Sequence, residues 1–199
     1  MNYTTRTSRT KKRGFTLTEI AIVLGIVGLI LGAIWVAAAA VYSNLRNAHA
    51  DTEALQMVQA VRALYATNTI IGAGAAADQT AALITAGAIP KDIVNAAGTA
   101  AINQWPNGAT AIWSNAAGDG FELILTAVPQ SACINLITTI AGTNADPGLY
   151  NATAVTTASP VAADAVVSGP RIAAITPTAA ATLCAAALNK VSFGFTLKS

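Results

Sequence analysis

Charge is scarce in this chain, and the little there is lies unevenly. Only 10% of the 199 residues are charged, against roughly 25% in an average soluble domain, while hydrophobic residues reach 54%. Aromatics are few as well, at 6%, so the apolar excess is Ala, Ile, Val and Leu. Such a chain hides its surface in lipid or in neighbouring subunits, or presents a bland Ala/Thr exterior; both are expected here. The first thirteen residues contain no acid but hold five of the eleven basic side chains, Arg6, Arg9, Lys11, Lys12 and Arg13. The remainder has six basic against nine acidic residues, a balance of −3. That excludes a basic surface able to grip a nucleic-acid backbone, and no direct nucleic-acid partner is expected.

The usual instruments of catalysis are missing too. Histidine occurs once, at His49, between Ala48 and Ala50 and beside Asp51. Metal binding needs companions at ligand spacing; none is evident, so His49 reads as an ordinary helix residue, with no metal and no cofactor expected. There is no Ser-His-Asp set, no Gly-rich phosphate loop and no pair of carboxylates in a plausible cleft. An enzyme is therefore not expected, and function should reside in assembly and in an exposed surface.

What the chain does have is a long apolar run. From Phe15 to Val41 only Glu19 is charged, and Ile20 to Val41 is uninterrupted over 22 residues. About 20 apolar residues span a bilayer as a helix, and a basic cluster just before such a span holds the N-terminus on the cytoplasmic side. An ordinary secretory signal has a shorter apolar stretch, with its small-residue cleavage site after it. Here the small residue, Gly14, comes first.

Glu19 is the second anomaly, because a carboxylate at the edge of a membrane-spanning helix normally has a partner. The next basic residue is Arg46, roughly 40 Å further along a helix. Cleavage after Gly14 creates the missing cation: the α-amino group of Phe15 lies within one helical turn of Glu19. In an assembly the same amine can meet Glu19 of a neighbouring chain.

These residues carry a family resemblance. Lys11-Lys12-Arg13-Gly14-Phe15-Thr16-Leu17-Thr18-Glu19, followed by Ile20-Ala21-Ile22-Val23-Leu24, resembles the class III signal of type IV prepilins. In that family a membrane aspartyl peptidase cuts after the Gly and N-methylates the new terminus, and the Glu neutralises the terminal amine of an adjacent subunit. Carried over, Gly14 and Phe15 are the cleavage pair, Phe15 the methylated residue and Glu19 the assembly carboxylate. The resemblance implies an α+β fold: one long N-terminal helix, half in membrane and half amphipathic, packed on a small antiparallel sheet with short peripheral helices. It implies a leader at 1–14, a transmembrane and filament-core helix at 15–41, an amphipathic helix at 42–67 and a globular head at 68–199. Partners would be identical subunits in a helical filament, the prepilin peptidase and an inner-membrane assembly platform. The precursor would be single-pass in the bacterial inner membrane and the product an extracellular pilus.

The rest of the chain fits that expectation. Tyr42 to Tyr65 lacks Pro and Gly, and Leu45, Ala48, Leu55, Val58, Val61 and Tyr65 recur at the spacing of one buried helical stripe. A continuous helix from Phe15 to about Thr67 would be roughly 80 Å long, too long for one small domain. Gly25, Gly28 and Gly32 punctuate its apolar half. Each costs up to about 1 kcal/mol relative to Ala, which points to close packing against neighbouring helices. Pilins of known filaments melt this stretch locally, often near a proline, but proline is absent before Pro90.

In the head, Ile71 to Trp105 reads as a connector with short helices at Ala77–Ala86 and from Pro90 or Lys91 to Asn95, within the αβ-loop (68–108) of the family. Ala109–Trp113 and Phe121–Val128 flank Gly118-Asp119-Gly120 as a hairpin. Pro129 suits the first turn of a helix running through Cys133 to about Ala141. Ala179–Asn189 reads as an Ala-rich helix containing Cys184, Val191–Leu197 alternates like a half-buried strand, and Gly142–Pro177 looks exposed. Two cysteines in an exported head most simply form one bridge, the alternative being two free buried thiols. A bridge from Cys133 to Cys184 is similar to the disulfide-bounded D-region (133–184) of type IV pilins, most like the type IVb, PilS-like branch of conjugative thin pili and adhesive pili. A major pilin is the leading expectation, with a minor pilin or a type II secretion pseudopilin behind it. The calcium site normal in the major pseudopilin head is not found here.

Overall fold

The computed structural model describes residues 16–68, 70–72, 76–156 and 172–198. The expected leader, including Gly14 and Phe15, lies outside them. The chain divides into two compact units, residues 1–43 and 44–199. Helix α1, Leu17–Leu64, contributes to both.

In the first unit, every described residue from Thr16 to Ser43 is exposed. Its large apolar side chains are solvent-exposed: Leu29 and Trp35 are each 76% exposed. In the second unit α1 buries Ala50, Glu53, Ala54, Met57, Val58 and Val61, one stripe at three- and four-residue spacing. Of the expected stripe Val58 and Val61 are buried and Tyr65 half-buried, while Leu45, Ala48 and Leu55 are exposed, because the buried face is turned toward Ala50, Ala54 and Met57. The α-helical bonding ends by tightening, from Tyr65 N donating to Val61 O to Ala66 N donating to Ala63 O.

The stripe belongs to the same core as a five-stranded antiparallel sheet, ordered β1-β2-β3-β5-β4. Its strands are β1 Ala101–Ile102, β2 Ala109–Ser114, β3 Gly120–Pro129, β4 Leu149–Val155 and β5 Leu188–Thr196. Pairing places Thr110, Ile112 and Ser114 opposite Leu125, Leu123 and Phe121. These in turn face Val191, Phe193 and Phe195, and Ala154, Ala152 and Leu149 complete the row. One sheet face is thus a block of Phe, Leu, Ile and Val. The expected hairpin is present as β2–β3, turning through Gly118 at φ +76°, a left-handed conformation that glycine adopts without steric cost.

Two bulges shape the sheet. In β3, two residues between Leu125 and Val128 oppose one in β5, forming a bulge, and Ala127 within it sits at φ 55°. In β4 the register shifts between Leu149 and Asn151, leaving Tyr150 as the extra residue. Its ring lies on Gly194, where an added Cβ would come within 2.6 Å of it. Only glycine lets the ring approach the strand that closely.

Several elements depart from the sequence reading. Helix α2 is Thr80–Thr85 rather than Ala77–Ala86. Ala77 O accepts from Ser114 N, and Asp78 bridges to Trp113, so the sheet edge captures the first residues in extended form. The helix expected up to Asn95 is a 3₁₀ turn, Lys91–Ile93. Helix α3 spans Gln130–Ile140 with Pro129 as its N-cap. The Ala-rich helix is cut to α4, Pro177–Leu183, because Leu188 and Asn189 pair with Pro129 and Val128 in the ladder. Strand β5 is buried on both faces rather than half-buried. The segment taken as exposed, Gly142–Pro177, contains β4, with Leu149, Tyr150 and Ala152 buried.

Arg62 fastens α1 to this sheet. It donates to both oxygens of Asp146, at 2.7 and 2.9 Å, and through Nε to the Thr196 carbonyl at 3.1 Å. Its guanidinium lies 5.7 Å from the centroid of the Phe195 ring. The paired side chains are only 17% and 27% exposed, so the interaction is poorly screened and bidentate. Arg62→Ala is expected to destabilise the head by about 2 to 3 kcal/mol, with Arg62→Lys recovering only part because it lacks the planar fork. Thermal unfolding followed by circular dichroism checks this; an Arg62→Ala protein melting with the parent would refute the clamp.

Candidate functional site

The polar cluster at the head of α1 is built around Thr16 and Glu19. Thr16 immediately precedes the first helical residue, and its backbone N–H donates to Glu19 Oε2 at 2.9 Å. The Thr16 hydroxyl donates to the same oxygen at 2.9 Å and accepts from Glu19 N–H at 3.3 Å. This reciprocal arrangement is a capping box, which satisfies helix N–H groups that otherwise have no partner. A Thr-x-x-Glu signature was there in the sequence to find it, whereas the charge of Glu19 alone drew attention above. Both bonds that the carboxylate accepts use Oε2.

Gly14 and Phe15, the expected cleavage pair, stand immediately before this cap and outside the described residues. Gly25, Gly28 and Gly32 lie further along the helix, three and four residues apart, and so share one face. A Cβ placed on any of them meets nothing within 4 Å in the chain. The segment is one helix long and apolar enough to cross a membrane, with a mean hydropathy of 2.8 over its most apolar window and none of that window buried. Glu19 is the one charged side chain between Thr16 and Leu45.

In the head, Cys133 of α3 and Cys184, which caps α4, form a disulfide with Cα atoms 5.9 Å apart. Both are fully buried. Cys184 therefore closes its helix instead of lying within it.

His49 has more company than its sequence neighbours suggested. Its Nδ1 is 2.9 Å from Glu53 Oε1, one helical turn on, and Asp92 of the 3₁₀ turn brings a third donor to the same spot. The first contact was legible as an i, i+4 pair; the second required the fold. Gln104 Nε2 donates to both Glu53 oxygens, at 2.9 and 3.0 Å. On the adjoining face of α1, Asp51 accepts from Asn135 of α3 at 3.2 Å, and burial pushes its carboxyl up to about 6. Burial also raises the Tyr150 phenol, with the Glu122 and Asp119 charges adding to the effect.

No curated protein matches the chain. Among solved structures, the crystal structure of TcpA, a type IV pilin from Vibrio cholerae El Tor biotype, is similar: 21% identity and a TM-score of 0.48 over 74% of this chain and 98% of that one. The prokaryotic N-terminal methylation motif matches residues 9–35, spanning the basic cluster, Gly14, the capping box and the first part of the apolar helix. The family described as PilS N terminal matches residues 45–196, which takes in the amphipathic part of α1, the whole sheet and both cysteines. With that profile covering well over half of its length, the chain belongs to the PilS family of type IV pilins, structural subunits of type IV pili and not enzymes.

Proposed function

We propose that this chain is the major subunit of a type IVb-like pilus, made as a single-pass inner-membrane precursor and polymerised into an extracellular filament serving adhesion or conjugation. Peptidase cleavage between Gly14 and Phe15 removes the basic leader and frees an α-amine, which the same enzyme methylates. Residues 15–41 then act first as the membrane anchor and later as the filament core, with 42–67 joining them to the head at 68–199. Gly25, Gly28 and Gly32 form the strip along which neighbouring helices approach, because without side chains their backbones can come close. Glu19 receives the amine of a neighbour.

The observation that carries this reading is the exposed apolar helix bearing a single carboxylate at its head. So much uncovered apolar surface is unsustainable in water. It needs lipid before assembly and like helices after it. An acid at its head then sets the axial register, since an unpaired charge in such a stack is strongly disfavoured.

Mass spectrometry of the native protein tests the processing. The expected mass is that of a chain starting at Phe15, with one added methyl group and two hydrogens fewer for the Cys133–Cys184 bond. A native preparation that still carries residues 1–14 would overturn the reading. Shearing the cells and weighing the released filaments separates a major from a minor subunit: the chain should dominate the sheared fraction.

A further inference from the structure

We infer that His49, Glu53 and Asp92 form a binding site for one divalent cation of the zinc class, on the side of the head where α1 meets the turn after α2. One imidazole nitrogen and two carboxylate oxygens, one from each residue, lie within 4.8 Å of one another. They come from two segments about forty residues apart in sequence. Around a tetrahedral ion with bonds of about 2.0–2.2 Å, donors sit roughly 3.3–3.5 Å apart. The His49 Nδ1 to Glu53 Oε1 distance of 2.9 Å is a few tenths of an ångström shorter than that, so the pair has only to part slightly to admit an ion. His49 and Asp92 are exposed, so small rotamer changes can bring the third donor in without disturbing the core.

The donor at the centre is held in advance. Glu53 is only 6% exposed, and Gln104 donates one amide nitrogen to both of its oxygens. Outer hydrogen bonds of this sort orient metal-binding carboxylates and hold them ready. Glu53 also rides on the stretch of α1 anchored by Ala50, Ala54 and Met57. Asp92 is placed by its neighbour Ile93, which is buried at 3% exposure, and by the bridge between Val94 and Ala101. Both segments supplying ligands are thus fixed by burial and not by the ligands themselves.

The donor set selects the ion. Calcium prefers six to eight oxygens and magnesium an octahedron of oxygens and waters, whereas a mixed set of imidazole and carboxylates suits zinc and its neighbours. Three protein donors leave a fourth position for water. An ion there replaces the proton shared along the His49–Glu53 contact and neutralises two carboxylates brought side by side. The competing account is an ordinary helix-surface pair of His49 and Glu53 with Asp92 merely nearby, which binds no ion.

Purified full-length protein in detergent micelles decides between them. Titration with Co²⁺ should give the visible bands of a low-coordinate ion at one equivalent per chain, and Zn²⁺ should displace them. His49→Ala and Asp92→Asn should each weaken Zn²⁺ binding at least tenfold by calorimetry. Excess Zn²⁺ should raise the melting temperature of the parent but of neither variant. Both substitutions are at exposed positions, and unchanged melting without metal shows that the fold is intact. Glu53→Gln is the weaker probe, because it also disturbs Gln104. Absence of Co²⁺ bands at about 1 mM metal, far above the range of a built zinc site, would overturn the inference. So would equal affinity in the parent and both exposed-residue variants.

Discussion

Cells carrying Glu19→Ala are expected to cut the leader normally, keep the subunit in the membrane and make essentially no filaments. The amine of Phe15, once buried among apolar helices, would face no counter-charge, and an uncompensated ion in that setting is strongly disfavoured. Because a tenfold change in an association constant needs little free energy, filament yield should fall by at least on the order of a hundredfold. Glu19 has a second job, however, since it completes the capping box with Thr16. Glu19→Gln separates the two. A glutamine can still accept from the Thr16 N–H and keep the cap, but it carries no charge. Charge pairing therefore predicts that Glu19→Gln fails to assemble as badly as Glu19→Ala. A helix-cap role predicts that it assembles like the parent. Electron microscopy of sheared filaments beside an immunoblot for leader removal reads both, and abundant Glu19→Gln filaments would sink the pairing account.

The next largest effect should come from the disulfide. The bond between Cys133 and Cys184 spans 51 residues, so removing it frees a long loop in the unfolded chain, worth about 4 kcal/mol in the chain-entropy model. The double variant Cys133→Ala/Cys184→Ala should melt roughly 8 to 15 °C below the parent. The loss should fall first on β4. That strand is carried by the bridged segment and holds only the outer edge of β5, whereas β5 itself is locked to β3 along its whole length. If β4 lets go, β5 becomes an open edge, a ready template for pairing with another chain. Faster amide exchange in 149–155 than in 120–129 of the double variant would confirm the order of loss. A double variant that melts within about 2 °C of the parent would show that the bridge contributes little beyond its local packing.

Some of this molecule could be read in advance. Helix α1, the β2–β3 hairpin and α3 are written as local periodicities: a three-to-four residue stripe of which Val58 and Val61 are buried, an apolar run broken by Gly118-Asp119-Gly120, and a proline before Gln130. Each signal involves residues a few positions apart, so the pattern and the structure share one length scale. Strand β4 was hidden because Leu149-Tyr150-Asn151-Ala152-Thr153-Ala154-Val155 has few large apolar residues. It is a strand because β5 offers it a ladder. The end of α4 was misplaced for a related reason. Alanines favour a helix locally, but Leu188 and Asn189 complete pairings with β3 that local propensity does not see. Alternation in β5 suggested one buried face, whereas both faces are buried in the fold, which spacing within the strand does not encode.

By itself the sequence determined the membrane-length apolar run, the basic segment ahead of it, the lone acid at Glu19 and the amphipathic continuation, since composition and short-range spacing are enough to specify each. Only the tertiary structure decided that Arg62 would grip Asp146 and Thr196, that Tyr150 would lie on Gly194, and that Asp92 would come to stand beside His49 and Glu53. Those neighbours are separated by some forty to one hundred and thirty residues. Bringing them together takes chain closure driven by burial of the whole core, and no short stretch of sequence contains that information.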